Sequence, residues 1–173
     1  MSGHDKGEIA SQVVGSTICK YWEQASFGKG LESVLCEAFI EASKSLDTKA
    51  DSLNHVEMGT TMVLAAIVEN KLTIAHAGDS RAYFLRPNDG LVYQTKDHLA
   101  HSVWGDSIDC SFFSYQQDKA NVEVRQFDLQ AGDRIFLCTD GVPTMIVPDI
   151  FTRRSMADKS TADVVDIIPQ IRN

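Results

Sequence analysis

A chain of 173 residues, 43% hydrophobic and 23% charged, has room for a sizeable core and the composition of a globular domain. Its net charge of −8 excludes nucleic acid as the principal partner, because contact with a phosphate backbone needs clustered Lys and Arg. No apolar run approaches the ~20 residues that span a bilayer, and no signal-peptide pattern opens the chain, so a cytoplasmic protein with no membrane partner is expected.

From the amino terminus, Ile9, Val13, Val14, Thr17, Ile18, Tyr21, Trp22 and Ala25 recur every three to four residues and predict a helix. Phe27-Gly28-Lys29-Gly30 breaks it, and Leu31, Val34, Leu35, Ala38, Phe39, Ala42 and Leu46 mark a second amphipathic helix. The period then changes to two. Residues 61–68 are almost wholly apolar, which predicts a strand covered on both sides. Glu69-Asn70-Lys71 is a tight turn, and 72–77 is the returning strand. Gly78 is expected to bulge or kink the chain before an extended stretch over 81–86. Pro87-Asn88-Asp89-Gly90 is a strong turn signal, and 91–94 closes that hairpin. Residues 99–119 read as a loop-rich excursion, 121–127 as a strand, 129–133 as a turn and 134–139 as a buried strand. A short helical turn is expected after Asp140-Gly141, and 160–168 reads as a last helix capped by Ser160 or Thr161. The cysteines show no C-x-x-C pair, and Cys19, Cys36 and Cys138 are expected as reduced core residues. The order predicts one α+β domain over 1–173 with helices packed on a mainly antiparallel sheet.

Five short motifs follow one another along this framework: Met58-Gly59-Thr60-Thr61, Ala77-Gly78-Asp79-Ser80-Arg81, Thr95-Lys96-Asp97-His98, Gly132-Asp133-Arg134 and Thr139-Asp140-Gly141. Asp140 ends a buried strand and precedes a glycine, so it is held rigidly at the sheet's rim, as a hard divalent cation requires of an oxygen ligand. Alone, however, Asp140-Gly141 reads better as a turn pair. Asp79 and Arg81 read equally as a local ion pair or as functional groups. Asp97 and His98 invite acid–base roles, and on a helix His98 and His101 would share one face, as in some metal sites.

Taken together, these motifs resemble the metal-dependent protein phosphatases of the protein phosphatase 2C type, which hydrolyse phosphoserine and phosphothreonine in proteins. The resemblance implies a layered sandwich of mainly antiparallel β-sheet flanked by helices, two Mg2+ or Mn2+ ions, and a phosphorylated protein substrate. It assigns Asp140 to the second catalytic ion, which reverses the turn reading, and Asp79 to the metal cluster, where it can help a third, weaker cation. Thr144 stands where the family often has an aspartate that supports this third ion. No catalytic side chain beyond the metal ligands is assigned. Asp97 and His98 would belong to the wall near the substrate.

The opening Met1-Ser2-Gly3-His4-Asp5-Lys6-Gly7 resembles the end of the family's Asp-Gly-Met-Gly-Gly-His segment, which makes Gly3 and His4 candidate substrate-pocket residues. The Asp-Gly that bridges both ions would precede Met1, and the family's closing Asp-Asn pair has no counterpart before Asn173. The resemblance therefore covers residues 1 to about 150 and implies that the first and final strands are missing. Little or no turnover is expected of this chain by itself. The alternative is a noncatalytic phosphatase-like module that binds a protein or phosphoprotein partner. Unprotected sheet edges also lead to an expectation of self-association.

Overall fold

A computed structural model describes residues 6–101, 107–109, 113–114 and 122–142. The helix expected over 160–168, and the candidates Gly3 and His4, lie outside the described residues.

The two predicted helices form. Helix α1 (Gly7–Gln24) buries Ala10, Val14 and Ile18, four residues apart on one face. A single 3-10 turn (Phe27–Lys29) follows, and Gly30, at φ +86°, opens α2 (Leu31–Ser52). Helix α2 runs six residues beyond the last predicted apolar position, Leu46, because Ala50 continues the buried stripe. The hydroxyl of Tyr21 donates to Glu37 at 2.6 Å and ties the two helices together.

The strands are β1 (Gly59–Thr60), β2 (Met62–Val68), β3 (Lys71–Ala77), β4 (Arg81–Arg86), β5 (Gly90–Gln94), β6 (Leu99–His101), β7 (Ser107–Asp109), β8 (Phe113–Ser114), β9 (Glu123–Asp128) and β10 (Arg134–Cys138). Every pairing among the described residues is antiparallel. One sheet has the order β2-β3-β9, a second β10-β4-β5, and short pairs join β1 to β8 and β6 to β7.

Period-two alternation sorts the side chains into two cores. Met62, Leu64, Ala66, Val68, Ala75, Ala77 and Val124 pack against the helices with Val14, Phe39 and Leu46. The intervening positions Val63, Ala65, Leu72, Ile74 and Phe127 meet Ala82, Phe84, Tyr93 and Ile135 of the second sheet. The described layers are therefore helices, sheet and sheet, which is the predicted α+β sandwich. Burial of a side chain such as Phe84 contributes roughly 1.5–3 kcal/mol.

Three expectations need correction. The strand covered on both sides is β3, buried from Leu72 to Ala77, and not β2, whose Ile67 is 55% exposed. The reason is topological: β3 is the middle strand of its sheet and β2 flanks it. Cys138 is buried, but Cys36 is half-buried and Cys19 is exposed, because the adjacent Ile18 takes the core-facing position of α1. All three are free thiols. The excursion over 99–119 contains β6, β7 and β8, each too short for its alternation to be read in the sequence.

Candidate functional site

The Gly-Asp-Ser-Arg motif is the connection between the two sheets. Strand β3 ends at Ala77, Gly78 turns the chain at φ +107°, and β4 begins at Arg81. Asp79 is half-buried at the bend and Ser80 is buried beside it. The hydroxyls of Thr61 and Ser80 are 2.8 Å apart, so the Gly-Thr-Thr motif braces the bend from below.

The Thr-Lys-Asp-His segment lies alongside this bend and holds it residue by residue. Thr95 exchanges two hydrogen bonds with Ala82: its N–H donates to the Ala82 carbonyl at 3.1 Å, and its Oγ1 accepts from the Ala82 N–H at 3.0 Å. The Lys96 carbonyl lies 2.9 Å from His76 Nε2. Asp97 accepts from Arg81 Nε and Nη2 at 2.8 and 2.6 Å, a bidentate ion pair. That bond holds the Arg81 guanidinium well above its ordinary pKa, against the opposing effect of burial. His98 brackets Gly78, donating from its N–H to the Gly78 carbonyl at 3.1 Å and accepting from the Gly78 N–H on Nδ1 at 3.2 Å. Asp97 and His98 thus grip the residues on either side of Asp79-Ser80.

Asp140 arrives from the other direction. Strand β10 pairs with β4 up to the pair Cys138↔Arg81. Asp140 stands two residues past Cys138, and Asp79 two residues before Arg81, so an antiparallel ladder brings both residues to one end of the strand pair. Asp140 is exposed and begins a turn in which the Val142 N–H donates to the Thr139 carbonyl at 3.2 Å. Oxygen donors of this kind, on a rim anchored by buried Cys138, fit a hard cation.

The Gly-Asp-Arg motif is structural. Asp133 accepts from Arg86 Nε and Nη2, each at 3.0 Å, and from the Gln130 N–H at 2.8 Å. The Arg86 bond holds its carboxyl below the usual range. The helical pairing of His98 with His101 does not form, since 99–101 is strand β6.

Two residues escaped the sequence reading. His76 on β3 and Glu123 on β9 face each other in register, and the His76 and His98 ring centroids are 4.5 Å apart. The signal was present in the alternation, because His76 shares the parity of the inward-facing Leu72 and Ile74.

Residues 2–103 match the family model for protein phosphatase 2C. The chain is 26% identical to the serine/threonine phosphatase stp of Listeria innocua over 179 residues, covering 93% of this chain and 70% of that protein. It is 28% identical to the serine/threonine protein phosphatase PstP of Mycobacterium tuberculosis over 158 residues, covering 82% of this chain and 30% of that protein. In fold it is similar to the serine/threonine phosphatase Stp1 from Staphylococcus aureus, with a TM-score of 0.67 and 23% identity over 99% of this chain and 74% of that one. It is also similar in fold to the catalytic domain of PstP in complex with two manganese ions, with a TM-score of 0.64 and 22% identity over 98% of this chain and 70% of that one. The family match spans more than half the residues and contains the Gly-Asp-Ser-Arg and Asp-His motifs in the order found here, and the chain belongs to the protein phosphatase 2C family.

Proposed function

We propose that this chain is a single phosphatase domain that uses Mg2+ or Mn2+ to hydrolyse phosphoserine and phosphothreonine in protein substrates, with Asp140 and Asp79 as cation ligands. The observation that carries this reading is the common end of β4 and β10 from which both aspartates extend. A divalent ion bound there supplies Lewis acidity toward a phosphoryl oxygen and a water of lowered pKa. The chain's own residues do the preparatory work. Asp97 and His98 fix the two ends of the bend that carries Asp79, and Cys138 and Val142 fix the strand end that carries Asp140.

Turnover by this chain is slow in this reading. Among the described residues, the group of three His, Cys, Asp or Glu donors that closes to within 4.8 Å is His76, His98 and Glu123, and not one built on Asp79 or Asp140. Two carboxylates hold one ion more readily than the pair that in-line phosphate hydrolysis uses. No helix among the described residues is long and apolar enough to cross a membrane. The flank of β2, where Ile67 is 55% exposed, is the surface through which copies would associate.

Release of phosphate from a phosphothreonine peptide tests the function. Slow release that depends on Mn2+ and disappears in Asp140→Ala is the expected result. Release that is metal-independent, or equal in the two proteins, contradicts it.

A further inference from the structure

We propose that His76, His98 and Glu123 form a binding site for a borderline transition-metal ion of the Zn2+ class, separate from the hard-cation site at Asp79 and Asp140. His76 is 1% exposed and faces the layer between the two sheets. Its Nε2 lies 2.9 Å from the Lys96 carbonyl, which can only accept, so the ring proton sits on Nε2. In the neutral imidazole Nδ1 is then a bare lone pair, and it is buried and without a hydrogen-bond partner among the described residues. A buried acceptor left this way carries its full desolvation penalty. An imidazole that donates to a backbone carbonyl through one nitrogen is also oriented as metal-binding histidines are.

The other donors are already gathered. Glu123 is the register partner of His76 across β3 and β9. One donor atom from each of His76, His98 and Glu123 lies within 4.8 Å of the others. A tetrahedral ion with bonds of ~2.0–2.1 Å separates its ligands by about 3.3 Å, so modest side-chain rotations close the set. Tyr93 and Arg125 both approach Glu123 Oε1, at 3.5 and 3.2 Å, which leaves Oε2 as the donor. Arg125 is 59% exposed at its side chain and can turn to water. Two imidazoles and a carboxylate, with one open position, select Zn2+ or Co2+ over Mg2+.

Occupancy has a structural consequence. His98 Nδ1 accepts from the Gly78 N–H. Ligation through Nδ1 takes that lone pair, and ligation through Nε2 puts a proton on Nδ1 facing the same N–H. Either way Gly78 loses its acceptor, one residue from Asp79.

Titrating the metal-free full chain with Co2+ tests the site. The expected result is that one equivalent develops the visible absorption of a tetrahedral nitrogen–oxygen complex, with no sulfur-to-cobalt charge transfer, and that Zn2+ displaces it. Affinity should fall at least about tenfold in Glu123→Gln and in His98→Gln and be unchanged in Asp140→Asn. Circular dichroism checks each variant, and if Glu123→Gln does not fold, His98→Gln decides. Absence of binding, a thiolate band, or unchanged affinity in the folded variants overturns the proposal. The titration reads binding rather than turnover, so its failure leaves the phosphatase reading standing, and loss of that reading leaves this site standing.

Discussion

Asp97 holds Arg81 through both carboxylate oxygens, at 2.8 and 2.6 Å, with only 26% and 20% of the two side chains exposed. The pair joins the segment after β5 to the first residue of β4, one residue after Ser80 and two after Asp79. Replacing Asp97 by Asn leaves a half-buried guanidinium with a weaker acceptor. The substitution should cost on the order of 1–3 kcal/mol, read as a lower urea midpoint at unchanged m-value. Arg81→Lys should not be benign, since an ammonium cannot reproduce the two-pronged contact. An unchanged midpoint in Asp97→Asn would remove the clamp from the account.

His98 gives the fold a pH dependence whose sign can be worked out. Burial chiefly, and then His76, hold its pKa below the ordinary value. A group depressed in the fold contributes stability that is complete above its unfolded pKa and lost as pH falls through the folded one. Protonation would also turn Nδ1 from acceptor to donor against the Gly78 N–H. In chelator, melting temperature should therefore hold steady above about pH 7 and decline below the ordinary histidine value of ~6.5. His98→Gln should flatten the decline between pH 6.5 and 5.5. Parallel profiles for the two proteins would show that another group sets the slope.

Gly132 tests the turn that feeds β10. It sits at φ +91°, and a Cβ built there would lie 2.9 Å from Pro87 Cγ, in the turn between β4 and β5. Gly132→Ala should cost about 1–2 kcal/mol from the backbone conformation alone, with further loss from displacing Pro87. Thermal melts measure it, and a variant as stable as the parent would contradict the turn geometry.

Much of the fold was legible because two periodicities mark it plainly. The stripe from Leu31 to Leu46 announces α2, and the change to alternation at residue 61 announces the sheets. Asp79 and Asp140 became candidates only through the resemblance of their motifs, since a carboxylate beside a glycine at a strand end reads as well or better as a turn. Which strand lies at the centre was not legible, since β2 is the more apolar of the two in sequence, β3 carrying Lys71, Thr73 and His76, and only the pairing of β9 with β3 decides it. The partners of Asp97 and His98 were likewise hidden. Their contacts with Arg81 and Gly78 cross 16 and 20 residues and depend on how the β4–β5 hairpin folds back. The meeting of His76 with Glu123 rests on a cross-strand register separated by 47 residues, which no local pattern encodes.

Mn2+ binding to the full chain, followed by calorimetry, tests the central claim most directly. Asp79 and Asp140 at one end of the β4–β10 pair predict that Asp140→Asn and Asp79→Asn each weaken binding at least about tenfold, with the fold intact. Binding that is indifferent to both substitutions would contradict the assignment of the cation to this end of the sheet.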